Sequence, residues 1–400
     1  PEAAPGDWPW WRGPTLDGVA AGDAPTAWGP TENVVWRTAV PGRGHSSPAV
    51  RGDRVFLTTA DEEARTQSLL AFDRATGALL WQTVAHTGPL PRKNPKNGHA
   101  SATPACDADR VYVAFVTTDG LRVTAVDHVG KVAWQAEAGP YTSEHGYGAS
   151  PVLYRRLVIV LSDSLKDNYV AALDRDTGKV VWRTARRATG RHGSYGTPVV
   201  ATLGGRPRLI VSGTGATTAY DPDTGAEVWT CRGPAEVTGC TPAFSDSLVF
   251  ASGGFPEKEL LAIRPGGRGD VSSSHVAWRA ARGVTYVPSP LYHVGLLYVV
   301  DDTGIATCFD AATGKPVWRE RLEGAFTSSP VLAGGRVYVT SEAGRTFVLK
   351  AGRDYEQISA NDLGEPTLAT PAVAGGQLFL RTAKALYCIG GPRATDGPRK

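Results

Sequence analysis

The chain has 400 residues, with 42 Lys and Arg set against 39 Asp and Glu for a formal charge of +3, so its charge balance points neither to nucleic acid nor to a membrane surface. No apolar run approaches the roughly 18 residues of a membrane span. A chain that begins at Pro1 without methionine reads as a mature or trimmed product.

Residues 1–32 form an irregular segment holding Trp8, Trp10, Trp11 and Trp28. Four tryptophans need burial, and the expected place is across the face or flank of the body that the rest of the chain forms, with a carbohydrate-stacking surface as the functional alternative. Asn33 to Ala39, carrying Trp36, alternates like an outer strand, yet no three strands precede it. Ala71 to Trp81 then supplies a word that returns: an Asp-x-x-Thr-Gly turn between alternating apolar residues, closed by a tryptophan. The Asp carboxylate can cap the turn amides, and Gly77 can take the positive φ of a short hairpin. Copies follow at Asp174 to Trp182, Asp221 to Trp229 and Asp310 to Trp318, and weaker ones at Asp127 to Trp134 and Ala262 to Trp278, where Pro-Gly-Gly-Arg-Gly lengthens the turn.

A second word gives the count. Ser-Pro or Thr-Pro occurs at Ser47, Thr103, Ser150, Thr197, Thr241, Ser289, Ser329 and Thr370, at intervals of 40 to 56 residues. Eight units of that length, with four short strand signals in each, predict an all-β, eight-bladed β-propeller of four-stranded antiparallel blades. The last unit, Pro371 to Gly390, offers three strands around Ala372, Phe379 and Tyr387. Trp36 is therefore placed in blade eight, so that the N-terminal strand closes the ring and leaves no free edge. The organisation expected is a Trp-rich segment at 1–32 packed on the propeller, one propeller at 33–390, and a polar tail at 391–400.

The distance from each outer-strand tryptophan to the next Ser/Thr-Pro is 11, 22, 16, 15, 12, 11 and 11 residues along the chain. The long connections lead into blades two, three and four, and long loops in compact folds usually carry function. They and the connection into blade one gather His45, His99, His145 and His192, with His86, Arg43, Arg92, Lys93, Lys96, Arg186, Arg187 and Arg191. A site for a ligand or partner is therefore expected at the channel mouth of blades one to four, built from His45, Asn97, His99, Glu144, His145, Tyr147, His192 and Tyr195; such a mouth suits an anionic or polyhydroxy ligand. Zinc held by His45, His99 and His145 is the metal alternative, but no local spacing anchors it and no metal ligand is assigned. Glu144 and His145 are neighbours on an extended segment and so face opposite ways, and no nucleophile elbow, phosphate loop or zincin word is present, so no catalytic residue is assigned. Among the cysteines, Cys231 and Cys240 flank a connection and could form a disulfide in an oxidising compartment, a pairing the sequence leaves open, while Cys308 and Cys388 occupy equivalent third-strand positions as small hydrophobes.

The Ala-x-Asp-x-x-Thr-Gly-x-x-x-Trp word resembles the tryptophan-docking repeat of the pyrroloquinoline-quinone (PQQ)-like propellers, a family that includes quinoprotein alcohol dehydrogenases and the outer-membrane-assembly lipoprotein BamB. The opening Trp-Pro-Trp-Trp-Arg-Gly-Pro and the phrase Gly42 to Pro48 are most similar to secreted PQQ-like propellers of planctomycete-type bacteria. The resemblance implies that Trp81, Trp134, Trp182, Trp229, Trp278 and Trp318 pack between blades and that the protein is periplasmic or extracellular. It also raises PQQ with calcium as a cofactor, but the adjacent cysteines and the calcium and base motifs of the dehydrogenases are missing, so no cofactor ligand is carried over. The expectation is a monomeric, non-catalytic binding or scaffold protein for a small molecule or an envelope protein. A PQQ-dependent dehydrogenase is the enzymatic alternative and a BamB-like assembly scaffold a further one.

Overall fold

The computed structural model describes residues 2–187 and 192–391, so Arg191, counted above among the rim cations, and the tail 392–400 lie outside the described residues. Eight antiparallel sheets are arranged as a β-propeller. Blade 1 shows the plan: inner strand Ala49–Arg51, then Arg54–Asp61, Thr66–Asp73 and the outer strand Leu79–Thr87. Blade 8 closes the ring as expected, with Val34–Ala39 as its outer strand beside Ala385–Ile389 and Trp36 opposite Cys388.

The turn word works through its Asp. Asp73 Oδ1 accepts from the amides of Ala75 (3.0 Å) and Thr76 (2.8 Å) and from the Thr76 hydroxyl (2.8 Å), while Gly77 sits at φ 74°. A one-residue bulge after Ala71 then sets Trp81 directly opposite that small residue. Ala125 and Trp134, Ala172 and Trp182, Ala219 and Trp229, Ala262 and Trp278, and Cys308 and Trp318 face one another in the same way. A small third-strand residue thus makes room for a large outer-strand ring, which leans onto the next blade. Trp36, Trp81 and Trp134 donate their indole N–H to carbonyls in the next blade's turn, those of Arg74 (2.9 Å), His128 (3.1 Å) and Arg175 (2.9 Å). The turn glycine lies flat under each ring, since a Cβ on Gly77, Gly178 or Gly225 would fall within 2.6 Å of Trp36, Trp134 or Trp182.

Blade 7 breaks the rule and is repaired from far away. Its outer strand Gln357–Asp362 has Ser359 where the tryptophan belongs, opposite Val348. Trp28 of the N-terminal segment fills the gap: it stacks on Tyr338 with ring centroids 6.5 Å apart, and its amide donates to Asn361 Oδ1 (3.0 Å). Blade 4 departs in the other direction. The Pro-Gly-Gly-Arg-Gly insertion not only lengthens a turn of blade 5 but adds Gly269–Asp270 as a fifth, parallel strand beside Glu227–Arg232.

Cys231 and Cys240, whose pairing the sequence left open, are not joined; all five cysteines are free and buried. Cys231 lies in the outer strand of blade 4, whereas the Cys240 thiol points among the carbonyls of Tyr286 and Pro288.

Candidate functional site

The eight Ser/Thr-Pro hydroxyls meet around the channel. The Ser47 amide donates to Thr103 Oγ1 (3.0 Å), the Thr103 amide to Ser150 Oγ (2.9 Å), and the Ser150 amide to Thr197 Oγ1 (2.9 Å). Thr241, Ser289, Ser329 and Thr370 continue the relay, and the Thr370 amide returns to Ser47 Oγ at 3.0 Å. At the one remaining step Thr241 Oγ1 accepts the indole N–H of Trp11 at 2.7 Å. Proline after each hydroxyl residue suits this geometry, because the inner strand begins there and needs no donor at its first position.

Beneath this ring residues 8–20 of the N-terminal segment run along the inner strands, while Trp28 further on packs against blade 7. Trp8 pairs antiparallel with Val50 of blade 1, the Pro9 carbonyl accepts from Cys106 of blade 2 (2.9 Å), and Gly18 and Ala20 bracket Leu332 of blade 7. Arg12 reaches the Pro290 carbonyl of blade 6 at 2.9 Å. The free backbone groups along the inner strands draw the segment in, since each would otherwise be left without a partner. Blades 1 and 5 are opposite one another, so a segment that bonds both through Trp8 and Trp11 bars the channel.

Above the ring a cavity of about 500 Å³ remains, walled by all eight ring residues, Trp11 and the loops of the upper face. The longest connection, into blade 2, crosses part of its mouth. Lys96 forms an ion pair with Glu342 of blade 7 (2.6 Å), Arg43 donates to the Pro95 carbonyl (2.9 Å), and Asn97 Nδ2 donates to the His145 carbonyl (2.8 Å).

Of the residues expected at the mouth, the cavity wall takes in His45, Asn97, His145 and Tyr195. His145 meets Tyr195 edge-on at 6.2 Å. His99 and Tyr147 instead border a separate void of about 20 Å³, where His99 lies 4.0 Å from Glu62 and the Tyr147 hydroxyl donates to the Leu161 carbonyl (3.2 Å). Glu144 is exposed outside the wall, and His192 packs its ring edge against Phe255 at 5.3 Å. The wall is not confined to blades one to four, for Tyr286, Asp302 and Thr327 belong to the far side. Sequence reasoning missed Asp302 and the ring itself, and read Trp11 only as one of the packing tryptophans with a stacking alternative, although the Ser/Thr-Pro word that counted the blades marks the ring hydroxyls one by one.

Burial, reinforced by the charges of Arg381, Arg43 and Lys93, pushes the His45 imidazole down to about 4, so it is neutral near pH 7. Arg381 is fully buried and donates to Ser46 Oγ (2.9 Å) and the Thr58 carbonyl (2.6 Å); burial lowers its guanidinium to about 9. Arg12 is likewise lowered by burial to about 10.

Neither a zinc site nor the calcium of the dehydrogenases fits this donor set. Among the described residues no three His, Cys, Asp or Glu side chains are placed to hold a metal, and His99 is outside the cavity that His45 and His145 share. The one carboxylate of the wall, Asp302, is taken up by the amides of Tyr286 (3.0 Å) and Val287 (3.1 Å) and by Lys258 (3.6 Å). A calcium ion would need several free oxygens converging on one point.

A family model described as outer membrane protein assembly factor BamB matches residues 19–146, 92–202, 166–265 and 256–354. Among curated proteins, the tetrathionate hydrolase of Acidithiobacillus ferrooxidans is 24% identical over 357 residues, 78% of this chain. The chain spans 65% of that relative's length. Among solved structures, BamB from Moraxella catarrhalis aligns with a TM-score of 0.62 at 17% identity, over 92% of this chain and 99% of that one. Quinohemoprotein alcohol dehydrogenase from Comamonas testosteroni gives 0.66 at 14% identity, over 99% and 83%. At these identities the structural likeness is one of fold.

Proposed function

The chain belongs to the PQQ-like repeat family whose model is described as outer membrane protein assembly factor BamB, and from that premise we propose that it is a non-catalytic binding protein of the periplasm or cell exterior. Its small-molecule ligand enters the channel from the upper face. The observation that carries this reading is the cavity itself: a channel barred below by residues 8–20 and left open above the hydroxyl ring is a cup of about 500 Å³, a size suited to a small molecule. Polar groups from many blades converge there, while its two charged residues, Lys96 and Asp302, are already paired. That pattern favours recognition over proton-transfer chemistry.

The test is a thermal-shift and calorimetric panel of sugars, dicarboxylates, tetrathionate, and PQQ with calcium, run on the parent and on His145→Ala. Since His145 is exposed, its replacement is expected to change stability by no more than about 0.5 kcal/mol while weakening binding of the active probe. No stabilising probe, or one that binds both proteins equally, would sink the reading. Hydrolysis is the second reading, favoured by the tetrathionate hydrolase match, and loss of tetrathionate on incubation would install it. Dye-linked oxidation with PQQ and calcium would do the same for a dehydrogenase. Capture of an envelope assembly protein, with no probe bound, would favour the scaffold role suggested by the family description.

A further inference from the structure

We infer that the floor of the cup is an oxyanion site, a deepening that rests on the binding role proposed above. The argument starts from the unused hydrogen-bonding capacity of the wall. Every Ser or Thr hydroxyl has one proton to donate and lone pairs to accept with. Around the ring the oxygens accept, seven from a neighbouring blade's amide and Thr241 from Trp11. None of the eight donates to a protein acceptor among the described residues, so eight O–H protons are left over at the cavity wall. Free acceptors are scarce by comparison: Asp302 is taken by two amides and Lys258, and Asn97 Oδ1 by the Gly98 amide and the Ser101 hydroxyl. A ligand group that satisfies this floor must be rich in acceptors.

A separate observation gives the sign of the charge. Arg12 and Arg381 are fully buried; Arg381 faces no acid among the described residues, and Arg12 has Asp17 beside it, whose carbonyl accepts from Nη2 at 2.7 Å. Each touches a neighbour of a ring residue, Arg12 the Pro290 carbonyl beside Ser289 and Arg381 the hydroxyl of Ser46 beside Ser47. Arg12 Nε and Nη1 and Arg381 Nε have no hydrogen-bond partner among the described residues. Buried cations are ordinarily paired, so Arg381, with no acid facing it among the described residues, and Arg12, offset in part by Asp17, flank the ring of donors as a positive well. A carboxylate, sulfonate, sulfate or phosphate group is the chemistry that completes it.

The experiment uses sulfate and acetate as anionic probes and glucose as the neutral one, by calorimetry at constant ionic strength, with crystals soaked in selenate to locate the anion by its anomalous signal. Sulfate is expected to bind, and Ser150→Ala to weaken it by roughly tenfold, the loss of one hydrogen bond to a charged group. Because Ser150→Ala also strips the Thr103 amide of its acceptor, the selenate position in the parent protein provides a readout that does not depend on how the variant folds. A selenium peak within hydrogen-bond reach of ring hydroxyls supports the inference. Peaks only at surface lysines and arginines, an adventitious ion only, overturn it, as does a variant that binds sulfate as tightly as the parent. Glucose binding in the cup without sulfate would overturn the oxyanion site and leave the binding role standing, whereas silence from all probes here and in the wider panel would remove both.

Discussion

Replacing Gly178 with Ala measures what tryptophan docking contributes. The residue sits at φ 74°, and an added Cβ would fall 2.5 Å from Cε3 and 2.8 Å from Cδ2 of Trp134 in the preceding blade. That ring cannot retreat freely, because its N–H is bonded to the Arg175 carbonyl at 2.9 Å and its face leans on Tyr112 at 6.0 Å. Left-handed backbone costs an alanine about 1–2 kcal/mol, and forcing an extra carbon into a close-packed contact adds about 1–3 kcal/mol, so Gly178→Ala is expected to lose roughly 2–5 kcal/mol. Gly376→Ala is the matched control: φ is 80°, yet no atom lies within 4 Å of the added Cβ, so only the backbone term applies. The assay is urea unfolding of both variants, followed by intrinsic fluorescence and circular dichroism so that coincident transitions license the comparison. If the two lose equal stability, the glycine is there for its backbone alone and the docking argument fails.

Two further outcomes follow from the same geometry. Trp28→Ala is expected to cost about 3–5 kcal/mol, as for other buried tryptophans, and to match Trp36→Ala in urea unfolding; a loss under ~1 kcal/mol would mean that Trp28 does not substitute for the ring missing from blade 7. His45 is neutral in the folded chain down to about pH 4 but titrates near 6.5 when unfolded, so the unfolded state binds more protons between those values and stability falls as pH drops through that window. The parent is expected to lose about 3 kcal/mol more than His45→Asn between pH 7 and pH 4, measured by urea unfolding at each pH, and parallel curves would contradict the burial of this imidazole.

The blade count and the position of Trp36 were legible because both rest on local words repeated at a fixed period. Asp73, Gly77 and Trp81 act within one hairpin and onto its neighbour, and such contacts leave a mark at short range. The barring of the channel by Trp8 to Ala20 and the placing of Trp28 against Tyr338 left none, because they join segments more than 30 to 300 residues apart whose only shared property is an unmet need. The absence of a tryptophan from Gln357–Asp362 was visible, but not what replaced it. At the mouth, loop membership picked out His45, Asn97, His145 and Tyr195, which line the cavity, while His99 and Tyr147 turn away because residues close together on an irregular loop face different walls. The most direct marker of the cavity floor, the residue before each proline, had already been read for another purpose.

The dual use of the first 39 residues bears on how the protein is made. They are made before the blades, but several of their partners come near the end of the propeller: Trp28 waits for Asn361 across 333 residues and Arg37 for Tyr387 across 350. Blades 1 to 6 can assemble in order as they emerge, each docking on its predecessor, and they offer the leading segment partners in Val50, Cys106, Thr241 and Pro290, while those in blades 7 and 8 are still to come. Closure is then a single late event that seats the bar, fills blade 7 and zips blade 8 together. Until it happens the nascent chain carries an open sheet edge at each end of an unfinished ring, the state most exposed to pairing with a second copy. A chain cut anywhere before Ala385 keeps that state permanently.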